Sequence, residues 1–171
     1  MMVKKDKAWS ETLTLILIAP PLLLAGLAAL IFFAAAYPFT FTYRQWLKFR
    51  FWRRHGRHGR FVLFVYSDSP NWKAYIEANI LPRLGPHVVT LNWSRRREWE
   101  RINPFEAKVF KRWAGEEEFN PMALVFSPGG RVREVRFWRA FRELKHGKEG
   151  SLKRAETLLF AEVERITSRP G

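Results

Sequence analysis

Apolar positions follow three different rhythms along the chain. From residue 12 to residue 43 there are 32 residues without a charge, including near-continuous apolar runs at 13–19 and 22–36. A helix needs about 20 such residues to cross a bilayer. No polar face appears at any helical period, so the segment reads as a transmembrane helix rather than a buried core helix. Trp9, Tyr37, Tyr43 and Trp46 flank it where an aromatic belt would lie. Pro20 and Pro21 remove two backbone donors and predict a kink or break, with one bent crossing favoured over a re-entrant hairpin. The basic start (Lys4, Lys5, Lys7) and Ala34-Ala35-Ala36 imitate a signal peptide, but the apolar stretch is too long for one.

After residue 60 the rhythm alternates between strand and helix. Residues 61–66 (FVLFVY) are a continuous run of β-formers, as in a strand covered on both faces. Ser67-Asp68-Ser69-Pro70 makes a turn, with Ser69 as N-cap and Pro70 at the first helical position. Trp72, Tyr75, Ile76, Ile80 and Leu81 predict a helix over 71–81, ended by Pro82 and Gly85-Pro86. A second strand at 87–93 completes a βαβ unit, which requires a parallel pair with a right-handed crossover. Residues 95–113 carry an apolar stripe of Trp99, Ile102, Phe105, Val109, Phe110 and Trp113, interrupted at Asn103-Pro104. Beyond the acidic loop Glu116-Glu117-Glu118 come a third strand at 121–126, a Ser127-Pro128-Gly129-Gly130 turn, and a fourth strand at 131–138. That last strand has Val132, Val135 and Phe137 as its apolar positions, with Arg131 and Arg133 outward. A helix over 152–166 closes the chain after a break at 147–150.

Charge places these elements. The 171 residues hold 30 Lys+Arg against 16 Asp+Glu, a net charge of +14. Residues 1–43 contribute only +1, three lysines less Asp6 and Glu11. Between 44 and 60 stand seven cations and no acid: Arg44, Lys48, Arg50, Arg53, Arg54, Arg57 and Arg60. The positive-inside rule therefore predicts a single-pass protein of the inner cell membrane with its C-terminal part in the cytoplasm. The organisation expected is a tail and anchor over 1–43, a basic aromatic juxtamembrane segment over 44–59, and an α/β domain over 60–171. Gly56 and Gly59 predict a flexible joint between the last two. His55 and His58 lack a nearby carboxylate or further His, so no metal is expected there.

The order β-α-β-α-β-β-α over residues 60–166 resembles the thioredoxin fold. Three local features carry the resemblance: Pro70-Asn71-Trp72-Lys73 after the first strand, Pro121 directly before the third, and the Gly129-Gly130 hairpin. The family's redox Cys-x-x-Cys would fall on Pro70 and Lys73, and its cis-proline on Pro121. The chain contains no cysteine at all, so dithiol exchange, a thiolate metal site and any disulfide are excluded. A redox-inactive relative is what the resemblance implies. The stretch 66–84 also looks like the start of the Toll/interleukin receptor-like fold, but the 121–138 hairpin speaks against that fold.

Three functional readings follow. In the first, the cations from Arg44 to Arg60, with Trp46, Phe49, Phe51 and Trp52 among them, meet anionic lipid headgroups, and the domain is a binding or scaffold module for a protein partner at the inner membrane surface. In the second, Ser67, Asp68, Ser69, Asn71 and Trp72, with Asn120 and Pro121, form a ligand or enzymatic loop at the C-terminal end of the first strand. The same Asp68 and Ser69 would also serve as plain helix caps. In the third, Arg95, Arg96 and Arg97, between Trp93 and Trp99, grip a phosphate or nucleic acid, or else form a solvated first helical turn capped by Ser94. Nucleic acid is the weaker expectation, because seven of the net +14 charges lie beside the membrane run. No phosphate loop, nucleophile elbow, metal-binding His pair or dinucleotide fingerprint occurs, so neither a catalytic residue nor a cofactor is expected.

Overall fold

The computed structural model of the chain describes residues 3–115 and 119–168, with the side chains of residues 3–19, 33, 35–39 and 100 outside that description. The loop Glu116-Glu117-Glu118 and the belt side chains of Trp9 and Tyr37 thus lie outside the described residues. The chain falls into two compact units, Met1–Arg44 and Gln45–Gly171.

The first unit is helical, formed by the leading part of α1 (Val3–Arg54). The helix is unbroken at Pro20 and Pro21, where the two prolines predict a break. Two missing donors in a helix of 52 residues leave the ladder intact on either side. Leu22, Leu23, Leu24, Leu27, Leu30, Ile31 and Phe32 are all more than half exposed. Among the described residues no helix is long and apolar enough to cross a membrane.

The second unit is a mixed α/β domain. Its sheet contains β1 (Val62–Tyr66), β2 (Val88–Asn92), β3 (Met122–Val125) and β4 (Arg133–Arg136) in the order β2-β1-β3-β4. β1 is parallel to β2, with Val62 opposite Val88, and antiparallel to β3, with Val62 opposite Val125. β3 and β4 are antiparallel. The continuous apolar run of β1 is explained by its central place, since side chains of both parities are buried.

Strand parity divides the core in two. Val62 and Phe64 pack with Ile76, Ile80 and Leu84, with Phe141 of α6 (Trp138–Leu144), and with Leu152 and Leu159 of α7 (Gly150–Thr167). Leu63 and Val65 pack on the other face with Val109, Phe110 and Trp113 of α5 (Phe105–Ala114), and with Leu47 and Phe51 near the end of α1. The segment after Arg44 is therefore part of the domain core, not a separate juxtamembrane element. Leu47 and Phe51, one turn apart, supply the second helical cover that this sheet face needs, and both are 0% exposed. The ring of Phe51 stacks on Phe126 at 4.0 Å between centroids. Nor is the joint at 55–59 open chain. It is one 3-10 turn, Gly56–His58, in which Gly56 is buried against the ring of Trp52 with no room for a Cβ.

Other boundaries shift for identifiable reasons. The helix predicted over 71–81 starts at Lys73 and runs as α2 (Lys73–Tyr75), a π turn (Ile76–Ile80) and α3 (Leu81–Leu84). It passes Pro82 because the Leu81 N–H bonds Ile76 O, widening the ladder just before the proline ring enters it. The second helical stretch breaks as Asn103-Pro104 predicts, into α4 (Arg96–Ile102) and α5, with Asn103 left-handed at φ 46°. β4 is shorter than the predicted 131–138. Its ladder is extended by Phe137 N–H to Pro121 O, after which Phe141 N–H bonds Phe137 O and the chain turns into α6. Phe137 and Phe141 both reach the core from one face of that turn.

Candidate functional site

The last turns of α1 have two faces. Leu47 and Phe51 point into the core, so Trp46, Phe49, Arg50 and Arg53 are left facing outward. With Arg54 and with Phe105 from the start of α5, they line a groove of about 500 Å³. The aromatic rings hold the guanidinium groups in place. Arg50 lies 4.9 Å from the Trp46 ring centre and 5.8 Å from that of Phe105. Arg54 lies 5.9 Å from Phe105, and Arg53 5.8 Å from Phe49. Such contacts orient a cation at about 0.5–1 kcal/mol each in an exposed site, without neutralising it.

One carboxylate stands at the end of this groove. Glu106 Oε1 is 2.6 Å from His55 Nε2 and 3.6 Å from Arg54 Nε. Among the described residues neither Arg50 nor Arg53 has a carboxylate partner. The site is thus a concave surface of positive charge walled by rings, suited to a phosphate or another oxyanion through forked guanidinium hydrogen bonds. Phe105 and Glu106 were not legible as members of the site, because Phe105 belongs to a stripe whose period reads as core.

The remaining predicted cations are placed otherwise. The Lys48 ammonium donates to the carbonyl of Gly130. Arg44 falls in the first unit, and Arg57 and Arg60 are exposed on the turn after α1. Arg95, Arg96 and Arg97 are exposed at the start of α4, with Arg96 stacked 3.9 Å over the Trp93 ring. None of these lines the groove. Phe51, counted with the membrane-facing aromatics, is buried instead.

The loop over 67–72 does come together at the C-terminal ends of β1 and β2, and its polar groups bind one another. Ser67 Oγ accepts from Trp72 Nε1 at 3.2 Å. Asp68 pairs with Lys73 at 2.7 Å, accepts from Asn92 Nδ2 at 3.0 Å, and donates its N–H to Ser94 Oγ at 2.9 Å. The hydrogen bond from Lys73, then that from Asn92, lowers the pKa of the Asp68 carboxyl, and the same pairing raises that of Lys73. The expected Ser94 cap is not made: its hydroxyl takes the Asp68 N–H, and the turn that starts here is capped by Asn92, whose Oδ1 accepts the Ser94 N–H at 2.9 Å. Ser69 Oγ accepts from Asn71 Nδ2 at 3.2 Å and from the Asn71 N–H at 3.4 Å, and Ser69 O accepts the Lys73 N–H at 3.0 Å, so Ser69 makes the bonds of the expected N-cap although regular helix begins only at Lys73. Pro121 follows a cis peptide bond and gives its carbonyl to Phe137 N–H at 2.8 Å. Among the described residues no hydrogen bond joins Pro121 to the 67–72 network. Asn120 beside it is buried.

Comparison with known proteins finds no matching family model, no similar curated protein and no similar solved structure.

Proposed function

We propose that this protein is a membrane-anchored, redox-inactive thioredoxin-like domain that binds anionic lipid headgroups and serves as a binding or scaffold module at the inner membrane surface. The observation that carries this reading is the groove of Arg50, Arg53 and Arg54 among Trp46, Phe49 and Phe105, a cationic and aromatic surface on a helix whose residues 12–43 carry no charge. Each cation near an anionic leaflet contributes about 1 kcal/mol.

The anchor is supported by the large apolar side chains between Leu22 and Phe32, exposed by 54–74% and spread around the helix. Such a surface is unfavourable in water and favourable in hydrocarbon. The thioredoxin-like reading is supported by the sheet order β2-β1-β3-β4, with β1 and β2 parallel, β3 antiparallel, and helices on both faces. A binding role is favoured over an enzymatic 67–72 loop because the polar groups of that loop are engaged with one another.

The absence of cysteine allows a direct test. A fluorophore on a cysteine replacing Lys108, exposed on α5 outside the groove, is followed in the full chain reconstituted into vesicles containing headgroup-labelled quencher lipid. Quenching is expected to be stronger in phosphatidylglycerol than in phosphatidylcholine, and to fall when Arg50, Arg53 and Arg54 become Ser. Equal quenching in both vesicles rejects the proposal.

A further inference from the structure

Phe49 lines more than the arginine groove. On the other side of its ring lies a second cleft of about 370 Å³, lined by Gln45, Lys48, Phe49, Trp52 and the loop from Phe126 to Gly129. Its apolar lining is Phe49, Trp52, Phe126 and the Pro128 pyrrolidine, and its polar lining is Gln45, Lys48 and Ser127. Lys48 ties the 126–130 loop to α1 by donating to Gly130 O, which holds the far wall in place. Phe49 itself is 58% exposed, a crest between the two cavities.

We infer that the two cavities together form a site for one anionic phospholipid molecule, its phosphate among Arg50, Arg53 and Arg54 and one acyl chain crossing Phe49 into the cleft against Trp52 and Pro128. This rests on the proposed lipid function and makes it a defined site in place of a diffuse charged surface. Three features lead to it. The groove is cationic with Glu106 as its one carboxylate among the described residues, the cleft is largely apolar, and one side chain belongs to both. Guanidinium groups held by rings suit a phosphate diester, while a water-exposed apolar cleft gains from covering by hydrocarbon. Both volumes fall in the roughly 300–1,000 Å³ range of small-molecule sites. A free phosphate would use the first cavity and leave the second empty, and an acidic peptide would leave the apolar walls without a matching group.

The test is native mass spectrometry of the full chain in detergent, with dioleoylphosphatidylglycerol, dioleoylphosphatidylcholine or inorganic phosphate added. One phosphatidylglycerol is expected to stay bound per chain, with at least tenfold less phosphatidylcholine and no displacement by millimolar phosphate. Phe49→Ser removes the crest and Gln45→Trp fills the cleft. Both replace exposed side chains, and each should cut lipid retention at least tenfold with the melting temperature unchanged. Retention unaffected by both variants overturns the inference, as does full displacement by phosphate or a dimer that excludes lipid. If vesicle quenching still distinguishes the two lipids while no stoichiometric lipid is retained, this site alone fails. If the quenching difference is absent too, the surface function fails with it.

Discussion

The 67–72 loop and the α1 groove are both polar surfaces that stand out in the sequence, and they differ in where their charges end. In the loop, Asp68 meets Lys73, Asn92 and Ser94, and Trp72 meets Ser67, so little hydrogen-bonding capacity is turned outward. In the groove, Arg50 and Arg53 meet rings and, among the described residues, no carboxylate, which orders a cation and leaves its charge available. A cluster whose members satisfy one another is a structural joint. One whose members are oriented but not neutralised is a place for a ligand.

The largest expected effect removes the support under the groove. Phe51→Ala deletes a fully buried ring stacked on Phe126 and should cost about 3–5 kcal/mol, read as a fall in urea midpoint. A loss below about 1 kcal/mol would mean that the end of α1 is not part of the core. Next comes the charge itself. Replacing Arg50, Arg53 and Arg54 together by Ser should weaken docking of the domain on an anionic vesicle surface, read by the quenching of the Lys108 label, by about 3 kcal/mol, roughly two decades, at about 1 kcal/mol each. High salt should reproduce part of that loss in the parent chain.

A third variant acts through packing. Gly56→Ala places a methyl group inside the ring of Trp52, and overpacking of this kind costs about 1–3 kcal/mol. Since Trp52 also lines the apolar cleft, thermal stability and lipid retention should fall together. If stability falls and retention does not, the comparison loses its link between core and site.

The smallest effect belongs to the loop. Asp68 and Lys73 are both substantially exposed, so Asp68→Asn should barely move the melting temperature at neutral pH and leave vesicle binding unchanged. The hydrogen bond from Lys73 holds the folded pKa of Asp68 below its ordinary value. Its contribution is therefore full above the unfolded pKa and is lost as pH falls through the lowered folded value. Acid unfolding curves of parent and variant should converge at the acid end. A large loss of vesicle binding in this variant would reverse the assignment of roles to the two surfaces.

How much of this was legible follows from the range of each interaction. The break at Asn103-Pro104 and the four strands could be read from residues a few positions apart, because turn chemistry and side-chain period act locally. The passage through Pro82 was not legible, because it depends on a π turn. The end of β4 was not either, because it depends on Phe137 and Phe141 finding one core. Ser94 reads as a helix cap, yet its hydroxyl accepts from an amide 26 positions away.

Sequence alone determined the charge-free stretch, the weight of cations that follows it, and the exclusion of thiol chemistry by the absent cysteine. Those are properties of composition and short period, and no folding step can alter them. Tertiary structure decided that Phe51 is core while Phe49 is surface, that Asp68 is engaged by Lys73 and Asn92, and that Phe105 faces Arg50 and Arg54. Each of these depends on which side of a helix meets the sheet and on partners brought together from distant positions, which the spacing of residues along the chain does not encode.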